Sequence, residues 1–244
     1  MANPILNENT FSENYTQNGI SEVMTKNSVV TKSLILFVVL VIASAMSWYK
    51  ALSAPSTAGI LMSVGIIGGF ISVLVLAFKR QLAAYIAPLY AVFEGLALGA
   101  LSCYFEAQFP GIVYQAILAT FAVFFTLLAL YASRVIVVTD KVRGVIFSAT
   151  LAIFLFYLVS FILSLFKVYI PYINQPNVIG IGFSVFVTII ASANFLIDFD
   201  NIERGINYMA PKYFEWYCSF GLLVTFVWVY IEILKLLSLL ARRR

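Results

Sequence analysis

Asp198 closes the apolar run Val178–Ile197, and Glu232 lies inside the apolar run Tyr217–Leu240. An acid at the centre of a membrane helix costs roughly 2.5–3.5 kcal/mol on insertion scales, so such groups face a bundle interior or a water-filled cavity. Glu94, directly before Gly95 in the run Leu82–Tyr104, is a third embedded acid. Two carboxyl groups that share an apolar site titrate as a coupled pair, near neutral pH when burial is strong enough. Such a pair offers a proton switch to a chain that has no histidine at all. Its oxygens are also hard ligands.

The neighbours of these acids frame alternative readings. On a helix spanning Ala193–Tyr208, Asn194, Asp198 and Asn201 are spaced i, i+4, i+7 and share one face. Asp200, Glu203, Arg204 and Asn207 take the other face, with Asp200 and Arg204 placed for an i,i+4 pair. Asp198 therefore either continues a polar stripe begun in the membrane or is a plain charge at a helix exit. Lys235 follows Glu232 by three residues, close enough to neutralise it or to snorkel to the interface. The two readings of Glu232 are a structural pair with Lys235 and a functional acid. Glu94 would bond a neighbouring helix, line a pathway or stay protonated, and spacing does not choose among these.

The elements that must position these groups are membrane spans. Of 244 residues, 62% are hydrophobic and 11% charged, against about 45–50% and about 25% in soluble domains. The runs are Ser33–Tyr49, Ala58–Phe78, Leu82–Tyr104, Ile112–Ser133, Gly144–Phe166, Val178–Ile197 and Tyr217–Leu240. Most hold 20 to 24 residues and the first holds 17, which suits a hydrocarbon core of about 30 Å. The fold expected is an all-α polytopic membrane protein, a bundle of seven transmembrane helices over 33–240. Residues 1–32 read as a polar, disordered tail without the pattern of a cleavable leader, and 241–244 as a basic end. Gly65/Gly69 and Gly95/Gly99 carry the small-xxx-small spacing, read as intramolecular packing, and Pro88 is expected to kink or open the third helix.

Lys and Arg outside the runs set the orientation. With the N-terminus inside, Lys26, Lys32, Lys79, Arg80, Arg134, Lys141, Arg143, Arg204 and Lys212 are cytoplasmic, and Lys50 and Lys167 are not. Arg242, Arg243 and Arg244 dissent from that count. Basic residues at helix ends mark topology, so no nucleic-acid partner is expected; the partner is the lipid bilayer. Enzyme chemistry is not expected either. Without histidine no Ser/His or Cys/His pair exists, and Gly180-Ile-Gly182 is followed by Phe183 where an intramembrane aspartyl protease needs Asp. Cys103 and Cys218 read as small apolar packers, and no cofactor is expected.

Asn194-Phe-Leu-Ile-Asp198-Phe-Asp200-Asn-Ile202 and Tyr230-Ile-Glu232-Ile-Leu-Lys-Leu-Leu237 resemble the Bax inhibitor-1 (transmembrane Bax inhibitor motif) family. Glu94-Gly95-Leu-Ala-Leu-Gly99 is similar to the third helix of its bacterial members, and the likeness covers roughly residues 25–240. The resemblance implies a pH-sensitive calcium leak gated by a hydrogen-bonded pair of acids, a role that falls to Asp198 and Glu232, which would also be its calcium ligands. It implies a basic latch on the first acid, at Lys79 or Arg80. Glu94, Asn194, Asn201 and Lys235 would line or modulate the path. Glu232 departs from the Asp of well-described members, and Lys235 stands where a neutral polar residue is commoner and competes for Glu232. The alternative that the resemblance carries is a non-conducting regulator of a membrane-anchored protease or another membrane protein. A bacterial cytoplasmic membrane is the expected location, with the N-terminus in the cytoplasm.

Overall fold

The computed structural model describes residues 23–168 and 175–243, so the tail residues 1–22 lie outside it. Seven helices are long and apolar enough to cross a membrane. They are α1 (Lys26–Ser53), α2 (Pro55–Phe78), α3 (Ala83–Gln108), α4 (Ile112–Ala132), α5 (Asp140–Leu165), α6 (Val178–Asn207) and α7 (Tyr213–Arg243), with a short 3-10 turn at Arg80–Leu82 before α3. No strand is present among the described residues. The chain is an all-α integral membrane protein. The spans of α3 and α7 are each 56% buried, against 11–33% for the others. The remaining helices present side chains such as Leu34, Ile67, Phe70, Leu118 and Phe161 outward, as lipid-facing surfaces do.

The described residues form two compact units. One holds 23–110 with 200–224; the other holds 111–168, 175–199 and 225–243.

In the first unit, bare glycine backbone sets the packing of α1, α2 and α3. A side chain on Gly99 would stand 2.2 Å from the Ser44 carbonyl oxygen, and one on Gly95 would stand 2.6 Å from Ala43 Cβ. On α2, a side chain at Gly65 would meet the Phe93 carbonyl at 2.5 Å. Both glycine pairs are thus spent on contacts within the chain. Such close approach lets whole helix surfaces gain dispersion contacts where lipid supplies no hydrophobic drive. Ser47 adds a bond from its hydroxyl to the Leu96 carbonyl, 2.7 Å. Pro88 lies inside α3 without ending it.

The start of α1 differs from the sequence reading. The helix begins at Lys26, inside the stretch read as tail, because the first turn of α7 holds it. Glu215, buried, accepts from the Thr25 backbone N–H (2.9 Å) and the Ser28 hydroxyl (2.8 Å), and pairs with the Lys32 ammonium. Thr25 caps α1 by accepting from the Ser28 N–H, 3.4 Å. Lys32 also lies 5.4 Å from the Trp216 ring centre. The chain is turned to meet this cluster by the end of α6. There Met209 takes a left-handed conformation (φ 51°), its N–H bonds to Ile206 and the Ala210 N–H to Gly205. This is a Schellman closure without its usual glycine. The freed Ala210 carbonyl accepts from Met24 N–H at 2.8 Å. Because Glu215 touches Thr25, α1 and α7 start on the same side, as the first and seventh of seven crossing helices must.

Two outcomes follow for stability in detergent. Gly99→Ala overpacks the α1–α3 contact and lowers unfolding stability by about 1–3 kcal/mol, whereas Gly59→Ala, with open space around it, leaves the thermal midpoint within a degree or two. Glu215→Ala strands Lys32 and costs on the order of 3 kcal/mol. Limited proteolysis should then cut between residues 23 and 32, which wild type resists, and the apolar pair Lys32→Met/Glu215→Leu should regain most of the loss. Unchanged protection in Glu215→Ala would contradict the anchoring role.

Candidate functional site

Both acids picked out by the sequence fall in the unit 111–199/225–243. Asp198 ends the membrane part of α6 in a setting of aromatic rings. Phe195 and Phe199 stack at 6.2 Å, and Phe124 of α4 meets them edge-on at 5.2 and 5.8 Å. Phe226 of α7 meets Phe124 at 5.9 Å and Phe195 at 6.2 Å. Leu196 and Ile197 join Val138 and Ile146 in a buried cluster. Thr225 faces Asp198 across this packing, and its side chain hydrogen-bonds the carboxyl. Asp198 Oδ2 is buried and has no hydrogen-bond partner.

Glu232 is buried, 3% exposed. Its Oε1 accepts from the Tyr157 hydroxyl of α5 at 3.0 Å and from the Trp228 indole N–H, one turn back on α7, at 3.3 Å. Its Oε2 is buried and unpartnered. Lys235 makes no contact ion pair with it; the ammonium donates to the Tyr157 oxygen at 3.3 Å, from where its charge still acts on Glu232 through space.

The expected hydrogen bond between the two acids is therefore not formed. Asp198 is matched to Thr225 and Glu232 to Tyr157 and Trp228. Seven residues separate Thr225 from Glu232, which on a helix is nearly two full turns, about 10 Å along one face. The contacts Asp198–Thr225 and Phe195–Phe226 are those of an antiparallel pair. Stepping from Asp198 back to Asn194 on α6 thus moves the same way as stepping from Thr225 on to Glu232. Asn194 fills that intermediate level, donating to Thr150 Oγ1 of α5 (2.9 Å) and to the Ile190 carbonyl (2.8 Å). The polar stripe on α6 exists, and it belongs to a graded series rather than a single paired site.

Among the described residues no group of three or more Asp, Glu, Cys or His could hold an ion together. Asp198 and Glu232 have different hydrogen-bond partners. Cys103 and Cys218 are free and buried.

The other sequence candidates lie in the unit 23–110/200–224. Glu94 is hydrogen-bonded by Tyr90, and its Oε2 rests 2.9 Å from where a Gly69 side chain would begin. Tyr90 is one turn back on the same helix. Arg80 sits over the Tyr217 ring at 5.9 Å, and Lys79 is exposed at the end of α2. Asn201 is buried, and Asp200 forms the expected ion pair with Arg204 at 2.9 Å.

Compared with known protein families, the chain matches the one described as Bax inhibitor 1 like over residues 3–242. The chain belongs to that family. No curated protein and no solved structure matches it. The matched range includes both Asp198 and Glu232.

Thr225, Tyr157, Trp228 and Glu215 were not foreseen. Trp228 had a readable signal, an indole N–H at i−4 from an embedded acid. Tyr157 and Thr225 are joined to the acids only by tertiary packing. Glu215 precedes its apolar run by two residues and reads as an ordinary charge in a helix first turn.

Proposed function

We propose that this protein is a proton-sensitive cation leak channel, with calcium the ion its carboxylates suit, and with no catalytic role. The observation that carries the reading is the presence of two buried carboxylate oxygens without partners, Asp198 Oδ2 and Glu232 Oε2, in one membrane unit. Embedded acids of this kind mark ion pathways. Their separation supports passage over storage. Calcium held tightly takes 6–8 oxygens, whereas conduction needs sites weak enough to release the ion to the next. A proton added to either acid removes the charge that attracts a cation, so the proposed leak falls as the pH falls. Lys79 or Arg80 remains the proposed latch of the gate, on the family resemblance alone.

The reading further gives a bacterial cytoplasmic membrane with a cytoplasmic N-terminus, supported by nine Lys and Arg at helix ends of one side against Lys50, Lys167 and the terminal Arg242, Arg243 and Arg244 at the other. An alkaline phosphatase fused after Arg244 should then be active, and one fused in the 134–140 connector inactive; the reverse pattern would invert the orientation.

The direct test is calcium flux into proteoliposomes. Asp198→Asn and Glu232→Gln keep shape but cannot ionise. Each should lower the flux at high pH by about tenfold, equivalent to ~1.4 kcal/mol, and flatten its dependence between about pH 6 and 8. Variants that match wild type across that range would refute the role of the acids. Absence of flux from folded wild-type protein would overturn the channel and leave a non-conducting regulator of a membrane partner.

A further inference from the structure

Lys235 stands three residues after Glu232, within easy reach of its carboxylate. In a medium without water, an ammonium beside a bare carboxylate oxygen pairs with it unless something else holds the ammonium. Here the carboxylate oxygen Oε2 is bare and buried, yet Lys235 Nζ lies on Tyr157, 3.3 Å from the hydroxyl oxygen and 5.1 Å from the ring centre.

The hydroxyl has one proton, and that proton is directed at Glu232 Oε1. Its oxygen lone pairs are then what Lys235 meets. The order is Lys235 ammonium, Tyr157 oxygen, Tyr157 proton, Glu232 Oε1, with Trp228 as the second donor on that same oxygen. One carboxylate oxygen is thereby saturated and the other left open. The Tyr157 ring is fixed by Phe156 at 5.9 Å and by Phe183 of α6, edge-on at 6.3 Å. The phenol is therefore a placed group rather than a mobile one.

We propose that Tyr157 is a positioning residue that keeps Lys235 off Glu232, so that Lys235 acts as a tethered competitor for the cation site. Lys235 has two berths. On Tyr157 it leaves Glu232 Oε2 free for a mobile cation or a proton. On Oε2 it fills the place of both. The inference rests on the reading of Glu232 as part of a cation path, but the position of Lys235 is tested without any flux.

The probe is dicyclohexylcarbodiimide, an apolar reagent that adds only to a carboxyl carrying its proton. Glu232 labelling is quantified by mass spectrometry of its peptide, from proteoliposomes held at one pH. Tyr157→Phe removes the acceptor and keeps the ring, so Lys235 should move to Oε2 and Glu232 labelling should fall by roughly fivefold or more. Lys235→Met alone should not lower it. The double variant Tyr157→Phe/Lys235→Met should return to the Lys235→Met level, a rescue that a merely structural tyrosine would not show. Asp198 labelling in the same samples should stay constant and reports that the unit is folded. Labelling unchanged in Tyr157→Phe, a double variant that stays low, or no labelling of wild type would each overturn the proposal. Calcium flux measured in the same vesicles separates the two readings. The labelling pattern without flux retains the tethered competitor and removes the channel; flux without the labelling pattern does the opposite.

Discussion

Inside a bilayer no water stands ready to complete a hydrogen bond, so each polar group in a span has to be satisfied by the chain itself. Most of this protein obeys that constraint by local means. Ser72, Thr120, Thr188 and Ser192 each return their hydroxyl to the carbonyl four residues back, at 2.7–2.8 Å. Asn194 finds both a carbonyl and a threonine. Against that background Asp198 Oδ2 and Glu232 Oε2 are exceptions of a costly kind. A protein that spends so many small bonds on satisfaction elsewhere keeps two carboxylate oxygens open, and that contrast is what marks the site.

The two units meet the lack of hydrophobic drive in lipid by different means. Between 23 and 110, helices approach until glycine backbone touches backbone, as at Gly65, Gly95 and Gly99. Around the acids, the contact is made by large rings: Phe121, Phe124, Phe195, Phe199 and Phe226 meet edge-on or stacked. Flat rings with an edge-to-face preference fix angles while leaving the helices further apart.

The spans, their order and the two acids were legible because hydrophobicity and charge are written residue by residue. The polar face Asn194–Asp198 and the Asp200–Arg204 pair were legible because a helix repeats every 3.6 residues. The partner of each acid was not. Thr225 and Glu232 lie on one face of α7 two turns apart, and nothing in the chain says which of them reaches the level of Asp198. That depends on how far α6 and α7 slide past one another, a register set by Phe124, Phe195 and Phe226 together. The true beginning of α1 was hidden for a similar reason. Apart from Val29 and Val30, residues 26–32 are polar, and Glu215, far away in sequence, ties their helix in place.

That separation bears on how the protein is made. Lys32 leaves the ribosome 183 residues before the acid that receives it. At about 5–20 residues per second the interval is roughly 10–40 s. Through that time α1, α2 and α3 can already be seated on their glycine contacts, while the first turn of α1 has an unmatched ammonium and nothing to hold its cap. The last helix thus carries the closing piece for the first. A chain stalled or truncated before Glu215 would leave the membrane with an unfinished N-terminal end, recognisable to the proteases that clear incomplete membrane proteins, and completion of synthesis would be what hides it.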